Sequence, residues 1–448
     1  MKGFIAGYVQ KAIAAAALLT GKKFGLLVAS SVVATSVIVA SAMTATNGSG
    51  PLAALLGRSL AADQAPIVNE PPAEEETYEP SSSSGSEASS PAPASPSVTP
   101  APASEREETT PEEPAPKPEE EAPEEPAPET GPANHVFVVS VASPGYDAAF
   151  GETSQMPYLA TTLRPQGLLL TNYKLLGEAA PANAIATVAG QPPNASTTAG
   201  CPTYNEIPAT AEANKRGVIE TSGCVYPVMT LTLADQLGSS QHTWRGYFEG
   251  MADESGKPAN CVRPEPDAAE APAPGAYSSK LNPFAYFHSL LDLGDCSTND
   301  VPLTGLEKDL KKVDTTADYT YVSPTPCNAG FSGQCPAGTT EGPAAADAFL
   351  ANWVPKILAS PAYKKDGLLI VTFGAANPPA EGATQSLRTG TLLVSNFLSP
   401  GSTDGAAYNP YSLLRSSEEL FGLSLLGEAQ GKKVKSFVPA LRGADGGD

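Results

Sequence analysis

The sequence predicts an α/β domain with a mainly parallel central sheet flanked by helices, and three observations carry that prediction. Residues 135–142 (HVFVVSVA) form a continuous apolar run rich in β-branched side chains, the pattern of a strand buried on both faces. Residues 367–374 (GLLIVTFG) form a second such run. Just before it, residues 345–358 (AADAFLANWVPKIL) place apolar side chains at helical spacing. Strands alternating with helices in this way build parallel sheets. Such sheets hold ligands beyond the carboxyl ends of their strands. The loops of interest therefore follow Val141, Tyr321 and Val322, and Phe373.

The chain N-terminal to this domain has a different character. Residues 24–43 (FGLLVASSVVATSVIVASAM) carry no charge and follow Lys22 and Lys23. Twenty such residues match the ~30 Å hydrocarbon core of a bilayer. The basic residues ahead of the span predict a transmembrane signal anchor, with residues 1–23 cytoplasmic and everything after residue 44 outside. A cleaved signal peptide ending near Ala42 is the competing reading. Residues 52–63 (LAALLGRSLAAD) have the pattern of a short helix.

Residues 44–133 are expected to be a disordered tether. Within 70–130 there are 15 Pro and 17 Glu against only Arg106 and Lys117, so this stretch carries −15 of the formal charge of −21. It is too poor in apolar side chains to offset its ordering entropy, and its charges repel. Pro-rich chain extends by up to ~3.1 Å per residue. The folded domain is expected over 134–442, with 443–448 as a tail. The domain is only mildly acidic, and a chain of this charge is a poor partner for nucleic acid.

Six cysteines, Cys201, Cys224, Cys261, Cys296, Cys327 and Cys335, all follow the tether. An even count confined to one domain predicts disulfides and an oxidising compartment. Six cysteines allow 15 connectivities. Neighbour pairing, 201 with 224, 261 with 296 and 327 with 335, is chosen because each pair brackets one loop. With three histidines and no Cys-x-x-Cys, a zinc site is not expected.

Several segments resemble the acid phosphatase and phospholipase C branch of the alkaline-phosphatase-like phosphoesterases. They are VFVVSVASPGYDAAFG, LADQLGSSQHTWRGYFEGM, NPFAYFHSLLDLGDC, AADAFLANWVPKILASPAYKKDGLLIVTF and YNPYSLLRSSEELFGL. They occur in the family's order over residues 135–428. The resemblance implies an alkaline-phosphatase-like fold with a divalent-metal site beside a hydroxyl nucleophile, but the matching positions are changed. Ala142 and Ser143 stand where the first strand of the family ends in Glu-Asn. The nucleophile position falls on Ala180, and only Asn183 of that turn remains. In Cys327-Asn328-Ala329-Gly330-Phe331, Ala329 and Phe331 replace an acid and a His. Gly374 and Ala375 replace Asp-Glu, and Pro410 replaces a His.

The expectation is therefore a site with no catalytic residues, no cofactor and no metal. Ser143 lacks a recognisable His or acid to activate it. Asp147 reads as a helix N-cap, and His242 and His288 as packed or surface groups. Glu249 is the best remaining carboxylate, and Asn194-Ala195-Ser196 fits a glycosylation acceptor. The chain reads as a single-pass cell-membrane protein with its C-terminal domain extracytoplasmic. That domain is expected to be an inactive pseudoenzyme binding an envelope protein or ligand. The alternative is an active phosphoesterase with a remodelled site.

Overall fold

The computed structural model describes residues 133–377 and 386–441. The expected cytoplasmic segment, membrane anchor, short helix, tether (but for Ala133) and C-terminal tail lie outside these residues. Ala133, the last residue assigned to the tether, is already buried. Among the described residues, no helix is long and apolar enough to cross a membrane.

Eight strands form one sheet: β1 (His135–Ser143), β2 (Leu168–Leu170), β3 (Trp244–Phe248), β4 (Asp300–Pro302), β5 (Tyr319–Ser323), β6 (Gly367–Ala376), β7 (Thr391–Val394) and β8 (Ser402–Asp404), in the spatial order β4-β3-β5-β1-β6-β7-β2-β8. The two apolar runs are its central neighbours, β1 and β6, paired in parallel from His135↔Gly367 onward. Only β7 runs against its neighbours, β6 and β2. The sheet is thus mainly parallel, as the runs predict.

Alternation along the central strands divides the core. Val136, Val138, Leu368 and Ile370 pack on one face with Ile185, Val188, Leu413 and Leu414. Phe137, Val139, Val141, Leu369, Val371 and Phe373 pack on the other with Phe349, Leu350 and Val354. Successive side chains of a strand point to opposite faces, so a run that is apolar at every position needs a helical layer on each side.

The helices start as their sequences direct. Helix α1 (Ala180–Ala189) is small-residue rich, buried throughout, and ends at Gly190 in the left-handed region. Helix α2 (Leu233–Ser239) opens on a Thr232/Asp235 capping box. Helix α3 (Pro343–Ala359) contains the predicted helical stretch. Helix α4 (Pro410–Leu420) has Asn409 as its cap, bonded reciprocally with Ser412, and Pro410 in its first turn. Pro410 thus sits where its missing N–H costs nothing.

Both central strands run further than their apolar cores. They reach Ser143 and Ala376, with a register shift between Val141 and Ala142 that leaves Gly374 unpaired as a bulge residue. Asp147 is not an N-cap. It is the exposed second residue of the short helix Tyr146–Phe150, which is preceded by Gly145 at φ 96°. The Gly145 amide donates instead to Ser143 Oγ at 3.0 Å, so Ser143 organises this turn.

Candidate ligand site at the carboxyl edge of the sheet

The positions singled out in the sequence gather where the carboxyl ends of β1, β5 and β6 meet the start of α1. Ala142, Ser143, Asn183, Ala329 and Ala375 are buried, and Ala180 is 8% exposed. The edge is bonded to itself. The Ala376 amide donates to the Glu178 carbonyl at 2.9 Å, and the Asn377 amide to the Ser143 carbonyl at 2.8 Å. The Asn377 side chain donates to the Gly330 carbonyl.

Asn183 accepts from the Leu176 amide at 2.8 Å and donates to the carbonyls of Gly177 and Ala179. Its hydrogen bonds hold the turn into α1. A Cβ at Gly374 would lie 2.6 Å from Ser140 Oγ, so this position takes no larger side chain without displacing Ser140. Pro410 and Phe331 stand in the first turn of α4 and just after the β5 loop, respectively.

A divalent cation needs several oxygen or nitrogen ligands directed at one point. Ala142, Ala180, Ala329, Gly374, Ala375, Phe331 and Pro410 have no side-chain donor atom, and the amide of Asn183 is committed to backbone. The residues present therefore do not fit the metal that the resemblance implies. Among the described residues, no three His, Cys, Asp or Glu side chains come together in a metal-binding group.

Glu249 follows β3 and acts as a clamp. It accepts from the Thr325 amide at 3.0 Å, from the Thr325 hydroxyl at 3.3 Å, and from Asn328 Nδ2 at 2.9 Å through each oxygen. It thereby fixes the β5 loop, which the Cys327–Cys335 bridge also closes. A groove of about 410 Å³ lies against this loop, lined by Glu249, Asn328, Pro336, Thr340 and Phe349 among others. Glu249→Ala leaves the amides of Thr325 and Asn328 to water, and a lost bond to a charged group costs roughly 1.5–3 kcal/mol. The expected result is faster amide exchange at 325–330 with little change in the central strands. Unchanged exchange there rules out the clamp.

All six cysteines are paired, as Cys201–Cys224, Cys261–Cys296 and Cys327–Cys335. Three bridges in one domain suggest an extracytoplasmic environment. A larger cleft, about 580 Å³, lies beside Cys261 and is lined by Tyr204, Glu206, Asp253, Arg263, Glu265 and His288 among others.

Each histidine meets a partner within the fold. His288 lies between Asp292 at 3.0 Å and Glu206 at 3.5 Å, His242 packs on Phe421, and His135 bonds Asp366 at the start of β1. Asn194 caps a short helix and donates Nδ2 to the Gly223 carbonyl at 2.8 Å. The same nitrogen also donates to Tyr226 Oη at 3.3 Å, so a glycan replacing one of its two hydrogens would displace one of these bonds.

Burial shifts three carboxyls upward. Asp300, at the start of β4, is pushed up to about 8, opposed by its bond from Asn282. Glu418, on α4, is pushed up to about 9, opposed by the Leu426 amide. Asp235 is raised by burial against its bonds from Thr232 and Ser289.

Sequence reasoning missed the cations of this edge. Arg388 precedes β7 and lies 3.8 Å over the ring of Tyr146. Its Nε donates to the Thr171 carbonyl at 2.8 Å. Lys174, beyond β2, is its antiparallel bridge partner. The signal was faint, one basic residue in each of two loops far apart in the chain.

No family model and no curated protein matches the chain. Among solved structures, it is similar to a protein in the alkaline phosphatase superfamily from Vibrio parahaemolyticus, at 14% identity over 66% of this chain and 68% of that one, with a TM-score of 0.40. It is also similar to the lipoteichoic acid synthase LtaP from Listeria monocytogenes, at 10% identity over 68% and 75% of the two chains, TM-score 0.37. A third is the phosphonate monoester hydrolase SpPMH from Silicibacter pomeroyi, at 12% identity over 69% and 77%, TM-score 0.36.

Proposed function

We propose that the folded domain is a non-catalytic binding module of phosphoesterase-like design. It is held outside the cell membrane by the anchor at 24–43 and the tether that follows. The observation that carries this reading is the carboxyl edge. Its side chains are small or apolar at the metal and nucleophile positions, and polar groups at this edge, Ser143, Asn183 and Asn377 among them, are bonded to backbone. Phosphoryl transfer needs charge neutralisation at the reacting oxygens and an activated nucleophile. A buried alanine at position 180 and an Asn183 locked in a turn provide neither.

The test is metal content together with turnover of a generic phosphomonoester on the purified chain. Neither stoichiometric metal after dialysis nor turnover is expected. Ala180→Ser should stay inactive, since it adds a hydroxyl with no group to activate it. Turnover by the parent chain, or a large gain in the serine variant, defeats the proposal.

A further inference from the structure

We propose that Lys174 and Arg388 form a binding site for a small oxyanion, or for the anionic end of a larger ligand, at the carboxyl edge of the sheet. This rests on the reading of the domain as a binding module and names the chemistry of what it binds.

The first observation is a like-charge pair in the closest cross-strand geometry. The Leu175 amide donates to the Leu387 carbonyl at 2.9 Å, and the Thr389 amide to the Tyr173 carbonyl at 2.9 Å. These two bonds flank Lys174 and Arg388, which therefore face each other as a non-hydrogen-bonded antiparallel pair. Side chains approach most closely at such pairs and lie on one face of the ladder. Like charges placed directly opposite destabilise a sheet. Among the described residues, no carboxylate stands within ion-pair distance of either. An anion shared between them converts this repulsion into two charge-assisted contacts.

The second observation is that Arg388 is preorganised. Its guanidinium carbon lies 3.8 Å over the Tyr146 ring, its Nε is committed to Thr171, and its own carbonyl accepts from the Tyr146 amide at 3.1 Å. Gly390, at φ +70°, makes the stack possible, because a Cβ there would lie 3.1 Å from the Tyr146 ring. With Nε committed, the two terminal nitrogens of the guanidinium keep a planar fork of donors, the geometry that suits carboxylate and phosphate oxygens. Lys174 is exposed and supplies a mobile charge to the same anion.

The third is position. Tyr146 follows the carboxyl end of β1 and Arg388 leads into β7 beside the carboxyl end of β6. This is the edge where open parallel sheets bind ligands. Here one held cation, Arg388, and one mobile cation, Lys174, are the source of positive charge.

The experiment titrates sulfate, phosphate and acetate into the purified full-length chain by calorimetry, against chloride at constant ionic strength. Saturable binding is expected for at least one of the three, and the order among them distinguishes a tetrahedral from a planar oxyanion. Lys174→Gln, at an exposed position, should keep the fold by circular dichroism and weaken binding about tenfold. Arg388→Gln should abolish binding, and Arg388→Lys should restore only part of it. Absence of saturable binding to the parent chain overturns the site, as does wild-type affinity in Lys174→Gln. No binding together with no phosphomonoester turnover removes this site and leaves the non-catalytic reading intact. Binding together with turnover does the reverse.

Discussion

Reducing the three disulfides should lower the stability of the domain by several kcal/mol, with the two long-loop bridges carrying most of the loss. Cys201–Cys224 spans 23 residues and Cys261–Cys296 spans 35, against 8 for Cys327–Cys335. Chain-entropy arguments assign roughly 3–4 kcal/mol to each of the longer loops and about 2.5 to the short one. The long bridges also fasten chain that lies outside the regular strands and helices. Residues 199–232 contain no strand or helix, and neither do 249–278, so backbone ladders do not tie them to the sheet. Cys201, Cys224 and Cys296 are buried in the core on that side, so their loss removes packing as well as the crosslink. Guanidinium unfolding of the oxidised chain should be compared with the paired variants Cys201→Ser/Cys224→Ser and Cys327→Ser/Cys335→Ser. The first is expected to lose clearly more than the second. Equal stabilities, or a fully reduced chain as stable as the oxidised one, would contradict this account.

What the sequence made legible follows from how locally each signal is written. β1, β6 and α3 announce themselves because burial on both faces demands uninterrupted apolar runs, and a helix packed on a sheet demands a period near 3.6. The disulfide pairs were readable because each joins cysteines that are neighbours in sequence. The short strands were not: Leu168–Leu170, Asp300–Pro302 and Ser402–Asp404 are three residues each, too short for a period to show. The antiparallel course of β7 is set by the return of the chain along the β6 edge rather than by a local pattern.

At the site, the small and apolar residues of the strand ends were legible one residue at a time. Their mutual closure through Asn377 and Gly330 was not, since it joins residues 47 apart in sequence. The facing of Lys174 and Arg388 was equally hidden, because a single bridge outside any strand leaves no pattern in either loop. Asp147 was misread for a related reason. An acid near a helix start suggests a cap, but the cap position falls on Gly145, whose amide donates to the Ser143 hydroxyl, and Asp147 is the second residue inside the helix.

The domain should also be markedly more stable at pH 5 than at pH 8, and two buried carboxyls set the sign. Glu418 and Asp300 are fully buried, and each keeps one oxygen, Oε2 and Oδ1, without a hydrogen bond. Desolvation therefore favours the neutral acid in the folded state, with pKa values pushed up to about 9 and about 8. In the unfolded chain both groups ionise near pH 4. Between pH 4 and pH 8 the folded state thus holds about two more protons than the unfolded state, and stability falls as pH rises. The contribution is fully present below pH 4 and is lost as pH climbs through the folded values. Each pH unit of displacement is worth about 1.4 kcal/mol per group, so over roughly three units from pH 5 to pH 8 each acid accounts for on the order of 4 kcal/mol. Glu418→Gln keeps an oxygen to accept from the Leu426 amide, now bonded at 2.8 Å, and removes the charge. It should stabilise the domain at pH 8, leave it nearly unchanged at pH 5 and flatten the pH profile. Asp300→Asn should act the same way through the bond from Asn282, now 2.7 Å. Denaturant unfolding at pH 5, 6.5 and 8 measures the effect. A wild-type profile that rises with pH, or a Glu418→Gln variant destabilised equally at all three values, would show that these carboxyls are ionised in the fold.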